Sequence, residues 1–295
     1  MRKRKLSSDR AFNTLLLIIV TTFLLLVLYP LIYIVSCSFS SGTAVTTGRV
    51  LLWPVEFSLV GYEIVFSHKA VWTGYANTIF YTVVGTILNL FLTILVAYPL
   101  ARRNFQGKKF FDIYFMIPMF FGGGLIPTYI LMSNLGLTDN RWVLIVSGAL
   151  NIYNMVLMRT YFQNSIPLEL LESAKMDGIS DAGYLLRVVL PLSKAIISVI
   201  TLYYVVAHWN SYFTGMIYLR NRDLFPLQLV LREILNASKI DSTMIQDAAV
   251  LAKLSGAADV MKFALIIVAT VPMLVIYPFI QKFFEKGIMV GSVKG

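Results

Sequence analysis

The sequence predicts an all-α polytopic membrane protein with six transmembrane helices. Three observations predict it. The 295 residues are 58% hydrophobic and only 14% charged, whereas soluble domains run near 45–50% apolar and about 25% charged. The mean hydropathy is +0.74. Six separate stretches are long and apolar enough for a helix to cross a hydrocarbon core of about 30 Å.

Those stretches are 13–36, 76–101, 111–133, 142–163, 192–219 and 263–284. Within lipid each backbone N–H and C=O must find a partner inside the segment, so helices are the expected form. The first stretch follows Met1-Arg2-Lys3-Arg4-Lys5, which imitates a signal peptide, and Ile34-Val35-Ser36-Cys37 resembles a lipoprotein cleavage site. The apolar run from Leu15 to Val35 is longer than a signal core of 7–15 residues. It reads instead as an uncleaved first transmembrane helix. The third stretch holds Pro118, Gly122, Gly123, Gly124 and Pro127. It is expected to be kinked or locally unwound and shielded by neighbouring helices.

Orientation follows from the basic residues, because short inner loops are enriched in Lys and Arg. Arg2, Lys3, Arg4, Lys5 and Arg10 precede the first stretch, Arg102, Arg103, Lys108 and Lys109 follow the second, and Arg159, Lys175, Arg187 and Lys194 surround the fourth-to-fifth connection. With Lys282, Lys286 and Lys294 near the end, the pattern places both termini in the cytoplasm. Trp53, Trp72, Trp142 and Trp209 then fall at or near the outer side, as an aromatic belt does. The net charge of +10 is thus read as membrane topology, and nucleic-acid binding is not expected.

Several function classes lose ground. The spans are read as free of Asp and Glu, which weakens a self-sufficient proton- or sodium-driven carrier. No G-x-x-x-x-G-K-[ST] phosphate loop occurs, so ATP is not bound in that way. No catalytic constellation stands out. Cys37 is the single cysteine and the two histidines, His68 and His208, lie far apart, so neither an internal disulfide nor an ordinary metal site is expected. Uphill movement of a solute would draw its energy from a partner.

The most informative segment runs Ile166-Pro167-Leu168-Glu169-Leu170-Leu171-Glu172-Ser173-Ala174-Lys175-Met176-Asp177-Gly178, continues through Ile179-Ser180-Asp181, and ends at Val188-Val189-Leu190-Pro191. Pro167 suits a helix first turn. Gly178 is a natural helix stop, since glycine accepts the left-handed C′ conformation. Ser180 can cap a second helix with Asp181 at its positive end, and Pro191 is placed at the opening of the fifth span. An amphipathic loop resting on lipid headgroups fits this pattern equally well.

The same stretch resembles the EAA motif of ABC-importer permeases: E-A-A, three residues, G, nine residues, I-x-L-P. Glu172, Ser173 and Ala174 fill the first slots, Gly178 follows, and Val188, Leu190 and Pro191 fill the last. Ser173 and Val188 are small departures. The resemblance covers about residues 70–295, and it implies the type I ABC importer permease fold of a binding-protein-dependent carbohydrate importer. It further implies a division into 1–75 (N-terminus, first helix and outer loop), 76–285 (core permease with coupling helices near 166–190) and 286–295 (cytoplasmic tail). Glu172, Ser173, Ala174, Asp177, Gly178, Leu190 and Pro191 would contact an ATPase subunit. The tail residues Gly291, Ser292, Val293, Lys294 and Gly295 are similar to a maltose-importer permease tail that reaches between the ATPases; a frayed basic end is the plain alternative.

The implied partners are a second permease subunit, two ATP-binding subunits and an extracellular solute-binding protein, in a bacterial inner membrane. The chain itself would bind no cofactor; ATP and Mg would sit on the partner subunits. The long 221–261 loop, with apolar runs at Leu224–Leu235 and Ala248–Val260 suited to short helices, would face the binding protein or simply cap the bundle. Candidate residues of the substrate pathway are Asn151 and Asn154, placed mid-way along the fourth span, and His208, Asn210 and Tyr212 in the fifth. Such polar groups also serve as interhelical hydrogen-bond partners. The alternatives are an ABC permease for another small solute, or a secondary carrier.

Overall fold

A computed structural model describes residues 2–237 and 248–291, and no strand occurs among them. Three helical segments are long and apolar enough to cross a membrane: Arg10–Ser38 within α1 (Arg2–Ser38), α4 (Lys69–Ala101), and Gly256–Pro278 within α15 (Ala248–Gly291). Two bent helix pairs pass the same test. They are α5 (Lys108–Phe120) with α6 (Leu125–Asn134), bent by 114°, and Asp181–Leu192 with α12 (Lys194–Trp209), bent by 83°.

The kink expected in the third stretch is present, but the expected shielding is not supplied by this chain, since residues 118–127 are exposed. Helix α5 stops at Phe121, and Gly124 adopts φ 81°, a conformation open to glycine without strain. The fourth stretch is broken more than its apolarity suggests. It falls on α7 (Val143–Val146) and α8 (Ile152–Ser165), a helix of only 14 residues. The fifth breaks at Asn210–Ser211, between α12 and α13 (Tyr212–Tyr218).

The chain forms two compact units. One comprises the chain up to Lys69 together with Leu231–Val271, and the other Ala70–Val230 with the chain from Pro272 onward. In the first unit, α2 (Gly42–Thr46) approaches α15 so closely that a Cβ on Gly42 would lie 2.6 Å from the Gly256 carbonyl carbon. A Cβ on Gly61, in α3 (Val60–Ser67), would lie 2.8 Å from Val260. Cys37, Ala44 and Val50 are buried here, so the lone cysteine is a packing residue. Ala248–Val260 is not a separate short helix; it is the continuous beginning of α15.

The second unit is organised by one face of α4. Asn77, Tyr81, Asn89 and Thr93 lie at multiples of four residues and are buried, as are Thr78, Thr82 and Thr86. Residues four apart share a helix face. The side chains of this face supply hydrogen-bond partners to the irregular backbone around Leu224. Asn77 Nδ2 donates to the carbonyls of Asp223 (2.7 Å) and Phe225 (3.1 Å), and Tyr81 OH donates to that of Leu224 (2.8 Å). The Leu227 N–H, which starts α14 (Leu227–Ala237), donates to Thr78 Oγ1 at 2.7 Å.

Candidate functional sites: a connecting elbow and a polar cavity

The elbow begins with α9 (Leu168–Met176), preceded by Pro167. Its end is a Schellman motif: Gly178 N–H bonds to Lys175 O (3.0 Å) and Ile179 N–H to Ala174 O (2.9 Å). Gly178 sits at φ 72°, so glycine is required by the turn itself. Ser180 then accepts from Gly183 N–H at 3.2 Å and caps α10 (Asp181–Tyr184). Both features follow the sequence reading.

The second arm departs from that reading at its end. Pro191 does not open α12, the long helix of the fifth stretch. It lies in α11 (Leu190–Leu192), before a corner at Ser193, and α12 starts at Lys194. Leu185–Val189 is a π-helical turn, in which Leu190 N–H bonds back to Leu185 O. The proline ring excludes the carbonyl four residues back, and a π turn is a usual way for a helix to absorb such a break.

Glu172 and Ser173 face outward, whereas Ala174 is buried in a hydrophobic cluster that also holds Met158, Phe162, Tyr184 and Val189. Met176 is 83% exposed beside Asp177 and Gly178, which are also exposed. The elbow is fastened to the end of α4 by Arg102. Its Nη2 lies 2.7 Å from Asp181 Oδ1, and its guanidinium carbon is 5.5 Å from the Tyr98 ring centroid and 5.7 Å from that of Tyr184. Tyr98 OH also donates to Asp181 O at 3.2 Å. A pocket of about 100 Å³ lies here, lined by Arg102, Arg103, Gln163, Pro167 and Leu171 among others.

Elsewhere in the same unit, a cavity of about 350 Å³ is lined by Asn89, Asn151, Asn154, Tyr203, Tyr204, His208 and Ser211, among others. Three of the five pathway candidates, Asn151, Asn154 and His208, meet on its walls. Asn210 and Tyr212 do not line it; Asn210 Nδ2 donates to Val206 O instead. Asn151 and Asn154, mid-way along the fourth stretch, fall at the break between α7 and α8 and at the start of α8. Asn151 is the N-cap of α8, its Oδ1 accepting from Asn154 N–H at 3.0 Å. An asparagine side chain competes with the backbone in this way and starts the helix rather than continuing it.

The cavity rests on a hydrogen-bond chain. Asn89 Nδ2 donates to Gly148 O (2.7 Å), which leaves Oδ1 to accept from His208 Nε2 at 2.9 Å. The proton is thereby placed on Nε2. Thr93 Oγ1 donates to Asn89 O (2.6 Å), so Tyr204 OH donates to Thr93 (2.7 Å) and accepts from Asn151 N–H (3.3 Å). Among the described residues no Asp, Glu, Lys or Arg lines the cavity; its polar lining is made of amides, phenols, hydroxyls and one imidazole. Sequence reading missed Asn89 and Tyr204; the four-residue spacing of polar residues along α4 was the signal for the first.

One acid does lie inside a predicted span, against the expectation of acid-free segments. Asp112 pairs with Arg159 at 2.6 Å, joining α5 to α8. A paired charge is the form in which an ion is tolerated there. Among the described residues no cluster of His, Cys, Asp or Glu could hold a metal. Of the tail, Ser292, Val293, Lys294 and Gly295 lie outside the described residues, and Gly291 is the last residue of α15.

The model for the family described as "Binding-protein-dependent transport system inner membrane component" matches residues 89–290, which include the elbow and the cavity. The chain is 38% identical over 288 residues to the "Polygalacturonan/rhamnogalacturonan transport system permease protein YtcP" of Bacillus subtilis, covering 97% of this chain and 99% of that one. It is 39% identical over 269 residues to "Protein LplC" of the same organism, covering 90% and 89%. A solved structure, "Crystal structure of a bacterial ABC transporter involved in the import of the acidic polysaccharide alginate", matches with TM-score 0.85 at 38% identity, covering 94% of this chain and 98% of that one.

Proposed function

The chain belongs to the family of binding-protein-dependent transport system inner membrane components, and from that membership we propose how its two sites divide the work of import. The protein is a permease subunit of a carbohydrate importer. Its substrates, in this proposal, are oligosaccharides from acidic polysaccharides. The relatives named for polygalacturonan/rhamnogalacturonan and for alginate support that choice.

The observation that carries the proposal is the elbow, a Schellman-terminated helix that holds Glu172 outward while seating Ala174 inward. Glu172, Ser173, Ala174, Asp177, Gly178, Leu190 and Pro191 form the coupling surface for a partner ATPase, on the cytoplasmic side. ATP and Mg are held by that partner, and this chain binds no cofactor. Gly291, Ser292, Val293, Lys294 and Gly295 provide a second contact. A second permease completes the translocation path, and an extracellular solute-binding protein delivers the sugar. ATP-driven closure of the partners moves the elbow, and the α4 end follows through Arg102; such a movement requires only that ATP favours one state over the other.

The cavity at Asn89, Asn151, Asn154, Tyr204 and His208 serves as this subunit's sugar contact, because amides and phenols match hydroxyls and ring CH faces. Asn210 and Tyr212 lie further along the same path. The test uses the assembled transporter in proteoliposomes with fluorescent oligogalacturonides. Glu172→Lys or Gly178→Val should abolish ATP-dependent uptake while the protein still inserts and assembles. Normal uptake in both variants would remove the coupling assignment. Uptake of an unrelated solute in place of uronides would remove the substrate class alone.

A further inference from the structure

We infer that the loop from Arg49 to Phe57 is an interfacial anchor, which inserts Leu51, Leu52 and Trp53 into the lipid leaflet at which α1 ends. The inference rests only on α1 crossing the membrane and is independent of the substrate.

The apolar run Leu15–Val35 measures about 30 Å at 1.5 Å per residue, the thickness of a bilayer core. Ser36 therefore marks the edge of the hydrocarbon. The loop is fastened at that level. Ser36 Oγ donates to Leu52 O at 2.6 Å. Val55 N–H donates to Ser40 Oγ (3.0 Å), Ser41 N–H to Val55 O (3.2 Å), and Ser58 N–H to Phe39 O (2.9 Å). Val50, buried beside Cys37 and Ala44, roots the base. The loop cannot rise away from the end of α1 without breaking these bonds.

Its side chains then divide. Trp53 is 79% exposed, and Leu51, Leu52 and Phe57 are also exposed. Arg49 and Glu56 pair at 2.8 Å, and Glu56 also accepts from Ser41, so a polar rim adjoins the apolar tip. Ser41 and Arg49 hold the Glu56 carboxyl below the usual carboxylate range, so the rim keeps its charges. An exposed apolar tip with a tryptophan, a charged rim and a fixed height at the hydrocarbon edge match the headgroup–acyl boundary, where tryptophan concentrates.

The test compares the wild type with Trp53→Phe in the full transporter, reconstituted in nanodiscs of phosphatidylethanolamine and phosphatidylglycerol doped with dibrominated phosphatidylcholine. Bromolipid should quench the wild type more strongly than Trp53→Phe. A difference emission, wild type minus Trp53→Phe, that bromolipid leaves unquenched would overturn the anchor. A nitroxide on Trp53→Cys gives the second reading, with Cys37 buried and the unsubstituted chain as control. The spin label should be relaxed by oxygen and not by an aqueous nickel chelate. Relaxation by nickel would assign the tip to water or the binding protein, and protection from both would assign it to a second permease; either result overturns the proposal.

Discussion

Arg102 Nη2 and Asp181 Oδ1 lie 2.7 Å apart and join the end of the long α4 helix to the second arm of the elbow. Asp181 is 74% exposed, and exposed ion pairs contribute under about 1 kcal/mol. The two flanking tyrosine rings each add about 0.5–1 kcal/mol to the hold on the guanidinium. Arg102→Ala should therefore cut uptake more than Asp181→Asn, which keeps the stacked arginine. Arg102→Lys, which restores the charge without the planar stack, should fall between them. Uptake per ATP hydrolysed, measured in proteoliposomes, orders the three; equal values would mean that the link transmits nothing.

Ala174 tests the inward side of the same elbow. It is 5% exposed and belongs to the buried cluster that holds Met158, Phe162, Tyr184 and Val189. Ala174→Leu overfills that seat, at a cost of about 1–3 kcal/mol, and displaces α9. Ser173, one residue away, faces outward, so Ser173→Leu should leave thermal stability in detergent unchanged. A stable Ala174→Leu protein with normal uptake would contradict the tight seat.

Gly85 stands against the imidazole of His208, and a Cβ there would overlap ring atoms. Gly85→Ala must push His208 away from Asn89 and reshape the cavity wall. The expected result is a loss of uptake of several-fold or more with little loss of assembly. His208→Ala in the Gly85→Ala background removes the clash and should recover stability without recovering transport. Recovery of both would show that His208 only fills space.

The sequence made the membrane class, the kink near Gly124 and the helix stops of the elbow legible, because Gly178 and Ser180 act through their own local chemistry. It did not reveal the breaks at Asn151 and Ser193. Each lies inside a run apolar enough for continuous helix. Asn151 is held by Tyr204 from a helix more than fifty positions away. The corner at Ser193 follows a π turn that Pro191 forces. The polar spacing along α4 marks Asn89 in the sequence, but its partners Gly148 and His208 are seen only in the fold.

Asp139 provides a pH-dependent prediction. Its carboxylate accepts the N–H groups of Asn221 (2.8 Å) and Arg220 (2.9 Å), and these bonds hold its pKa below the usual value. A carboxyl depressed in the folded state binds fewer protons there than in the unfolded chain. Its stabilisation is present above the unfolded value of about 3.9 and is lost as pH falls through the lower folded value. Asp139 also has φ 54°, which asparagine tolerates, so Asp139→Asn keeps the turn and removes the charge. The melting temperature of Asp139→Asn in detergent should lie below that of the wild type near neutral pH, and the gap should close as the solution is acidified below about pH 4. Glu56, depressed mainly by Ser41 and then Arg49, contributes in the same direction to both proteins and cancels in the difference. A gap that stayed constant down to the acid limit would show that the carboxylate charge plays no part in holding Asp139 to Arg220 and Asn221.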